Sequence, residues 1–172
     1  MGKIGYIIAK IKSKLARNNY EIMNDYYRKC GVKIGESVLI CTDISKGEPY
    51  LIEIGSGTTI STEVAFVTHD YSIRNLSKDF ANLFGKIKVG NNCFVGERAV
   101  LMYGVTLADN IIVAAGSVVT KSFKEENVII GGNPARIIGT WEKFYEKEKE
   151  KSISRSDILR IINEDPEKLV SR

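Results

Sequence analysis

Aliphatic side chains recur at every sixth position through the middle of the chain. Counted in steps of six from Val89 to Val119, the same position is filled by Val or Leu six times in a row, and the residue after it is mostly small. A helix would space apolar residues by three and four, and an ordinary strand would alternate them by two. A period of six instead predicts very short strands joined by tight turns. Three such strands close a coil of about 18 residues, and stacked coils bury a column of aliphatic side chains.

The same spacing appears in an earlier block, where its phase slips twice. The residues of this block are Ile34, Ile40, Ile54, Ile60 and Phe66. The step from Ile40 to Ile54 is two residues longer than two repeats, and the step from Phe66 to Val89 is five residues longer than three repeats. The second slip predicts an extra loop that leaves the regular structure over about residues 70–86.

Both ends of the chain carry helical patterns. Residues 1–30 predict an N-terminal amphipathic helix, and residues 140–172 predict charged C-terminal helices that stop at Pro166. The N-terminal apolar stripe consists of Ile4, Ile7, Ile8, Ile11 and Leu15, with lysines between them. Because the open ends of a solenoid must be covered, capping or subunit packing is one interpretation of these helices. Peripheral attachment of the basic N-terminal helix to a membrane is the alternative.

The composition supports a core made of strands. Ile and Val together number 36 among 172 residues, against 9 Leu, and β-branched residues favour strands. The net charge of +4 and the pI of about 8.9 are only mildly basic, so a nucleic-acid partner is not expected. Lysines interrupt any signal-peptide core, and three cysteines without a paired motif indicate a reducing, cytoplasmic setting. The fold class predicted is an all-β solenoid with flanking helices.

Three segments together resemble the hexapeptide-repeat acyltransferases. They are IGSGTTISTEVAFVTHDYSI from Ile54, VGNNCFVGERAVLMYGVTLADNIIVAAGSVVTK from Val89, and GGNPARIIG from Gly131. Within that family the chain is most similar to bacterial sugar O-acetyltransferases of the maltose/galactoside and the capsule or O-antigen types. The resemblance implies a left-handed parallel β-helix over residues 31–139. It also implies a homotrimer with active sites between subunits, and acetyl-CoA as the co-substrate lying between neighbouring coils.

His69 is the candidate catalytic residue. It is the single histidine of the chain, it lies where the repeat gives way to the extra loop, and it matches the catalytic histidine of the family. Neutral imidazole is suited to removing a proton from a hydroxyl near neutral pH, so the resemblance implies direct acetyl transfer with His69 as general base. Asp70 is a candidate for orienting the imidazole or stabilising its protonated form, with a loop-capping role as the alternative. One histidine cannot form the three-histidine zinc site of γ-class carbonic anhydrases, and no metal is expected.

The resemblance also implies residues that bind the co-substrate. Ala115 matches an alanine whose backbone meets the pantetheine, and Thr120 and Lys121 match a pair at the nucleotide end. Arg136 matches a basic residue near the 3′-phosphate, which charge-assisted hydrogen bonds would hold. Asn133 is expected to shape the final turn against coenzyme A.

Two residues are candidates for the acceptor side. Asp43 falls roughly where maltose and galactoside relatives carry a substrate-binding Asn, with a solvated turn aspartate as the alternative interpretation. Glu97 stands where some relatives carry a Ser near the thioester. The chain also departs from the family pattern at Phe94, where relatives often have Trp, and at Tyr103, which replaces a turn proline.

The function expected is O-acetylation of a sugar hydroxyl in a surface polysaccharide or its precursor. One alternative is N-acetylation of a nucleotide-linked amino sugar, which uses the same fold and co-substrate. Such enzymes often carry an additional N-terminal nucleotide-binding domain, for which residues 1–30 are too short. A non-catalytic trimeric scaffold is the alternative of another class, because a fold does not establish a function. The expected location is the cytoplasm, or the inner face of the membrane if the N-terminal helix attaches there.

Overall fold

Two helices open the described part of the chain. The structure is a computed structural model and describes residues 3–17, 19–77, 79 and 82–170. Helix α1 spans Lys3–Leu15 and α2 spans Tyr20–Lys29. The Asn19 side chain caps α2 by accepting a hydrogen bond from the Glu21 backbone N–H at 3.0 Å, which satisfies one of the free donors of the first turn. Tyr26 and Tyr27 of α2 are buried and join the aliphatic core, so α2 covers one end of that core.

Short strands make up the body of the molecule. In chain order they are β1 (Lys33–Ile34), β2 (Leu39–Ile40), β3 (Ile52–Ile54), β4 (Thr59–Ile60), β5 (Ala65–Val67), β6 (His69–Asp70), β7 (Leu83–Phe84), β8 (Ile87–Val89), β9 (Phe94–Val95), β10 (Val100–Met102), β11 (Thr106–Leu107), β12 (Ile112–Val113), β13 (Val118–Val119), β14 (Val128–Gly131) and β15 (Arg136–Thr140). Helices α3 (Trp141–Glu148) and α4 (Ile158–Glu164) follow. Single turns of 3-10 helix lie at Pro49–Leu51, Ser72–Asn75, Lys149–Lys151 and Pro166–Lys168.

The strands form three parallel sheets that the chain visits in the same cyclic order. The first sheet has the order β1-β3-β8-β11, the second β2-β4-β9-β12-β14, and the third β5-β10-β13. One passage of the chain through the three sheets makes one coil. Strand β15 is antiparallel to β14 and continues the second sheet. The parallel sheets and flanking helices predicted from the sequence are confirmed.

The spacing between paired residues explains the two phase slips. In the later coils paired residues are 18 apart, as at Val100 and Val118, except between β12 and β14, where Ile112 pairs with Ile129 at an offset of 17. In the earliest coil they are 20 apart, as at Leu39 and Thr59. At the second slip, between β3 and β8, Ile54 pairs with Val89, 35 residues away, which is 17 more than the regular 18. These extra residues include β6 and β7, which pair antiparallel with each other outside the three sheets.

The six-residue period corresponds to the interior of the molecule. The aliphatic positions that begin each repeat are at most 1% exposed: they are Val89, Val95, Leu101, Leu107, Val113 and Val119. Burying each such side chain stabilises the fold by about 1.5–3 kcal/mol relative to leaving it exposed. The small residue that follows allows close stacking, since a Cβ on Gly90 would lie 2.5 Å from the Ala108 carbonyl oxygen of the next coil.

The corners between sheets require left-handed backbone conformations. Asn92 and Asn110 occupy such corners with φ of 50° and 56°, and Asn tolerates this region better than most residues. Among the described residues, no helix has the length and apolar character needed to cross a membrane.

Candidate active site

His69 stands on a short ribbon that leaves the coil. It lies in β6, two residues after β5 ends, and it pairs with Phe84 of β7. The Gly85 backbone N–H donates to the Thr68 carbonyl at 3.1 Å and closes the base of the ribbon. The imidazole is therefore fixed at the point where the extra residues depart from the third sheet.

A carboxylate holds one side of the imidazole. Glu48 Oε2 lies 2.8 Å from His69 Nδ1, and the same oxygen accepts a hydrogen bond from Thr68 Oγ1 at 2.6 Å. These hydrogen bonds, that of Thr68 first and that of His69 second, lower the pKa of Glu48 below its ordinary value. Glu48 is therefore ionised near neutral pH and accepts from both neighbours.

The ionised carboxylate sets the tautomer of the ring. Because a carboxylate can only accept, His69 Nδ1 carries a proton and donates it to Glu48. In the neutral imidazole the free lone pair is then on Nε2. The His69 side chain is 32% exposed and that of Glu48 is 18% exposed, so the ring is accessible while its partner is largely covered.

Two aromatic rings flank the imidazole and remain open to solvent. Tyr71 meets it edge to face at a centroid distance of 5.2 Å, and Phe84 lies at 5.7 Å with its plane tilted. Tyr71 is 54% exposed and Phe84 is 53% exposed. Exposed aromatic faces beside a polar group are typical of small-molecule sites.

Asp70 bonds to the chain after it. Its carboxylate accepts a hydrogen bond from the Ser72 backbone N–H at 2.7 Å, and the Ser72 contacts lower the pKa of Asp70. Among the described residues, the hydrogen bond to the His69 ring is made by Glu48 and not by Asp70. This geometry matches the loop-capping alternative, and a catalytic role for Asp70 stays a prediction.

Glu48 was not among the residues predicted from the sequence, although the pairing of the parallel strands is consistent with its position. Glu48 lies in the segment of the first phase slip, next to Gly47 and Pro49. Paired residues in this part of the chain are 20 apart, which places position 48 one coil from Thr68. Glu48 can be aligned with Thr68 only when the 20-residue offset of that coil is known.

The sequence-predicted residues fall on two edges of the molecule, one at each end of the third sheet. The His69 edge lies just beyond the ends of β5, β10 and β13, and its residues are His69, Tyr103 and Thr120. Because Val67 pairs with Met102 and Leu101 pairs with Val119, these residues occupy one edge in successive coils. Lys121 follows on the same edge and is exposed, with its Nζ 5.5 Å from the centroid of the Phe123 ring.

The Ala115 edge is where β10 and β13 begin. The Gly116 backbone N–H donates to the Glu97 carbonyl at 2.8 Å, so the turns that carry Ala115 and Glu97 stack on each other. Both residues are exposed. A Cβ on Gly116 would meet nothing within 4 Å, which leaves this turn open to a ligand.

The last turn of the coil lies beside β13. Val118 donates to the Gly132 carbonyl at 2.9 Å and accepts from the Ala135 N–H at 2.8 Å. Asn133 is exposed in that turn. Arg136 is exposed at the start of β15, and its guanidinium donates to the Ala135 carbonyl at 2.9 Å.

Asp43 is occupied in its own turn. Its carboxylate accepts from the Ser45 hydroxyl at 2.6 Å and from the Ser45 N–H at 3.0 Å, and Lys46 Nζ lies 3.7 Å away. Thr42 Oγ1 donates to the Val64 carbonyl at 3.3 Å, so this turn lies beside the start of β5, at the same end of the third sheet as the Ala115 edge. The structure therefore separates Asp43 and Glu97 from the His69 edge of the same chain.

Comparison with known proteins places the chain in a family. Residues 86–121 match the family model described as the hexapeptide repeat of succinyl-transferase. Protein CapG of Staphylococcus aureus is 38% identical over 165 residues, which cover 93% of this chain and 92% of CapG.

Two solved structures share the fold. A maltose O-acetyltransferase from Clostridium difficile 630 superposes with a TM-score of 0.56 at 22% identity, covering 81% of this chain and 89% of that one. A galactoside acetyltransferase in complex with coenzyme A superposes with a TM-score of 0.58 at 20% identity, covering 90% of each chain. With a repeat model matched in its middle and a relative aligned over nearly the whole length of both chains, the protein belongs to the hexapeptide-repeat acyltransferases.

Proposed function

We propose that this protein transfers the acetyl group of acetyl-CoA to a sugar hydroxyl of a surface polysaccharide or its precursor. The observation that carries the proposal is the geometry of His69. Its Nδ1 is bound to Glu48 at 2.8 Å, and its ring is flanked by the exposed rings of Tyr71 and Phe84. The names of the maltose and galactoside acetyltransferases that share the fold support a sugar as the acceptor.

His69 acts as the general base through Nε2. A sugar hydroxyl is a weak acid, so its oxygen needs a base when it attacks a carbonyl carbon. As the new C–O bond forms, Nε2 takes the hydroxyl proton and the imidazole becomes positively charged. The Glu48 carboxylate stabilises that charge, as acidic partners of histidine do in other acyl-transfer sites.

The same proton completes the reaction. Acetyl-CoA supplies the acetyl group as a thioester, and the C–S bond breaks as the coenzyme A thiolate leaves. His69 returns its proton to that sulfur, so the ring ends the cycle neutral. No side chain of the protein is acylated in this scheme.

The residues for the co-substrate fit an anionic and extended ligand. Lys121 and Arg136 are exposed cations that can pair with phosphate groups, and Thr120 lies beside the first of them. The open Ala115 turn allows close approach of a flexible chain to the backbone, and Asn133 shapes the neighbouring turn. On the acceptor side, Tyr71 and Phe84 offer apolar faces to a sugar ring, while Asp43 and Glu97 are the polar candidates. Asp70 remains the candidate for stabilising the protonated imidazole.

The fold and the two edges support a homotrimer. We propose that the three sheets over residues 31–139 form a left-handed parallel β-helix, with residues 1–30 and 140–172 as flanking segments. His69 and Ala115 lie at opposite ends of the third sheet, so a neighbouring copy is needed to bring the Ala115 edge of one chain against the His69 edge of another. In the third sheet Ala65, Val100 and Val118 occupy the same position in successive strands and are exposed or half-buried. Such small or aliphatic side chains suit subunit packing.

The test is thioester cleavage in the presence of a panel of sugars and amino sugars. We expect thiol release that depends on a sugar, with the acetyl group on oxygen in the product. His69→Ala should lower turnover by at least ~100-fold and leave coenzyme A binding intact. Tyr145→Ala, which removes another exposed ring, serves as the control and should keep full turnover.

Each other result has a defined meaning. Acetyl groups on nitrogen would replace the proposal by N-acetylation of an amino sugar. No sugar-dependent thiol release, with coenzyme A unbound, would favour a scaffold. Unchanged turnover in His69→Ala would remove the assigned base.

A further inference from the structure

Helix α1 presents its large aliphatic side chains to solvent. They occupy one stripe, with spacings of three and four residues, and between 47% and 82% of each is exposed: they are Ile4, Ile7, Ile8, Ile11 and Leu15. A stripe of this kind normally faces the core of a globular protein. Here it is a contiguous apolar surface on the outside of the described chain, and a surface of this kind marks an interaction site.

The opposite face of α1 is the one that packs on the protein. It consists of small residues, since Gly5, Ala9 and Ser13 follow one another at intervals of four. A Cβ on Gly5 would lie 3.3 Å from the Tyr26 ring, Ala9 is 7% exposed, and Ser13 Oγ donates to the Asn19 carbonyl at 2.8 Å. Within this chain, α2 and the small face of α1 therefore cover the core, and the apolar stripe takes no part in capping.

Basic side chains border the stripe on both sides. With roughly 100° of rotation per residue, Lys12 flanks one side, and Lys10 and Lys14 flank the other. Helix α1 contains no acidic residue, and all three lysines are exposed. The nearest acidic residues of α2, Glu21 and Asp25, are paired with Arg28 at 3.1 Å and 2.8 Å.

We propose that α1 lies in the headgroup region of an anionic membrane, with its apolar stripe in the lipid and its lysines at the phosphates. A helix that lies in the membrane interface has an exposed apolar stripe bordered by basic residues, and it does not cross the bilayer. Anionic lipid complements the charge, and each basic residue near such a surface contributes about fivefold to binding at low salt. The same face of a second copy would not complement the charge, because it would bring lysines against lysines.

Vesicle co-sedimentation of the full chain tests the proposal. We expect binding to vesicles of phosphatidylcholine with phosphatidylglycerol, little binding to phosphatidylcholine alone, and release by salt. The pair Ile8→Ser and Ile11→Ser should weaken binding about tenfold or more. The double substitution Lys10→Gln and Lys14→Gln should weaken vesicle binding at low salt by up to about 25-fold, since each lysine contributes about fivefold.

Matched controls separate this surface from general stickiness. Leu159→Ser changes an exposed aliphatic residue of α4, and Lys143→Gln changes an exposed lysine of α3; both should bind vesicles as the unmodified chain does. Circular dichroism and thioester cleavage should be unchanged in all variants, because α1 lies outside the proposed active site.

Absence of vesicle binding by the unmodified chain, or binding that neither pair of substitutions in α1 weakens, would overturn the proposal. A change of molecular mass by light scattering in the Ile8→Ser, Ile11→Ser pair, with vesicle binding retained, would assign the stripe to a second copy instead.

Discussion

At the scale of the residue, the role proposed for His69 depends on two side chains that carry no obvious chemistry in the sequence. Glu48 fixes the tautomer of the imidazole, and Thr68 Oγ1 fixes Glu48 through the same carboxylate oxygen at 2.6 Å. Because both contacts converge on Oε2, the carboxylate has little freedom to rotate away from the ring. The proposed base is therefore held in position before any substrate arrives, and much of the efficiency of a general base comes from such positioning.

Replacing Glu48 tests this positioning role. Glu48→Gln should lower kcat about tenfold or more with little change in KM, by analogy with other residues that orient a histidine. Because Gln does not titrate, the acid limb of the kcat/KM profile should also lose the contribution that protonation of Glu48 makes to it. The pKa of Glu48 is lowered, so protonation of Glu48 itself comes at more acid pH than for an ordinary Glu. Steady-state kinetics across pH measures both effects.

Glu36→Gln is the control for that variant, since Glu36 is an exposed glutamate on another part of the surface. It should leave the kinetics and the pH profile unchanged. A Glu48→Gln enzyme with the full kcat and an unchanged acid limb would show that the contact is structural only.

At the scale of the element, each coil depends on the close approach of the next. The six-residue period arises because one side chain in each short strand points into the shared interior, while the residue after it must be small. Gly90 shows the constraint, because an added Cβ would lie 2.5 Å from the Ala108 carbonyl oxygen. The adjacent backbone cannot move without disturbing the hydrogen bond from the Ala108 N–H to the Phe123 carbonyl at 2.9 Å.

Gly90→Ala should therefore destabilise the protein by about 1–3 kcal/mol, the usual cost of overpacking. Gly139→Ala is the matched control, because the nearest atom to its added Cβ is 4.0 Å away, and it should change stability by less than about 0.5 kcal/mol. Denaturant unfolding at a fixed protein concentration measures both. Equal stability of the two variants would show that the coils can separate slightly without loss.

The six-residue period predicts the short strands, but it does not predict the residues that lie outside the regular repeat. Val89 and its successors are recognisable because burial imposes the same requirement in every coil. Glu48 lies in a coil whose paired residues are 20 apart and not the regular 18, so no repeat marks its position. The stripe of α1 is recognisable as a stripe, but the sequence does not show that small residues such as Gly5 pack inward instead. His69 could be chosen because a single histidine stands where the repeat breaks.

At the scale of the whole molecule, the two edges of the third sheet suggest how an active site is completed. His69 belongs to one edge and Ala115 to the other, so one chain presents the proposed base and the turn proposed to bind the co-substrate at opposite ends of the third sheet. If copies assemble side by side, the base of one chain meets the turn of the next, and each site uses residues from two chains. Thr120 and Lys121, which lie on the His69 edge, would then approach the co-substrate from the chain that provides the base.

Mixed assemblies give a direct test of that arrangement. His69→Ala removes the base, and Ala115→Trp fills the open turn, so each variant alone should be inactive. When the two are co-expressed in equal amounts, a site with an intact base from one chain and an intact turn from its neighbour forms in about one case in four if chains assort randomly in a closed ring. Activity should therefore recover to about a quarter of that of the unmodified enzyme. Sites built within single chains would always contain one of the two defects, and the mixture would then stay as inactive as its parts.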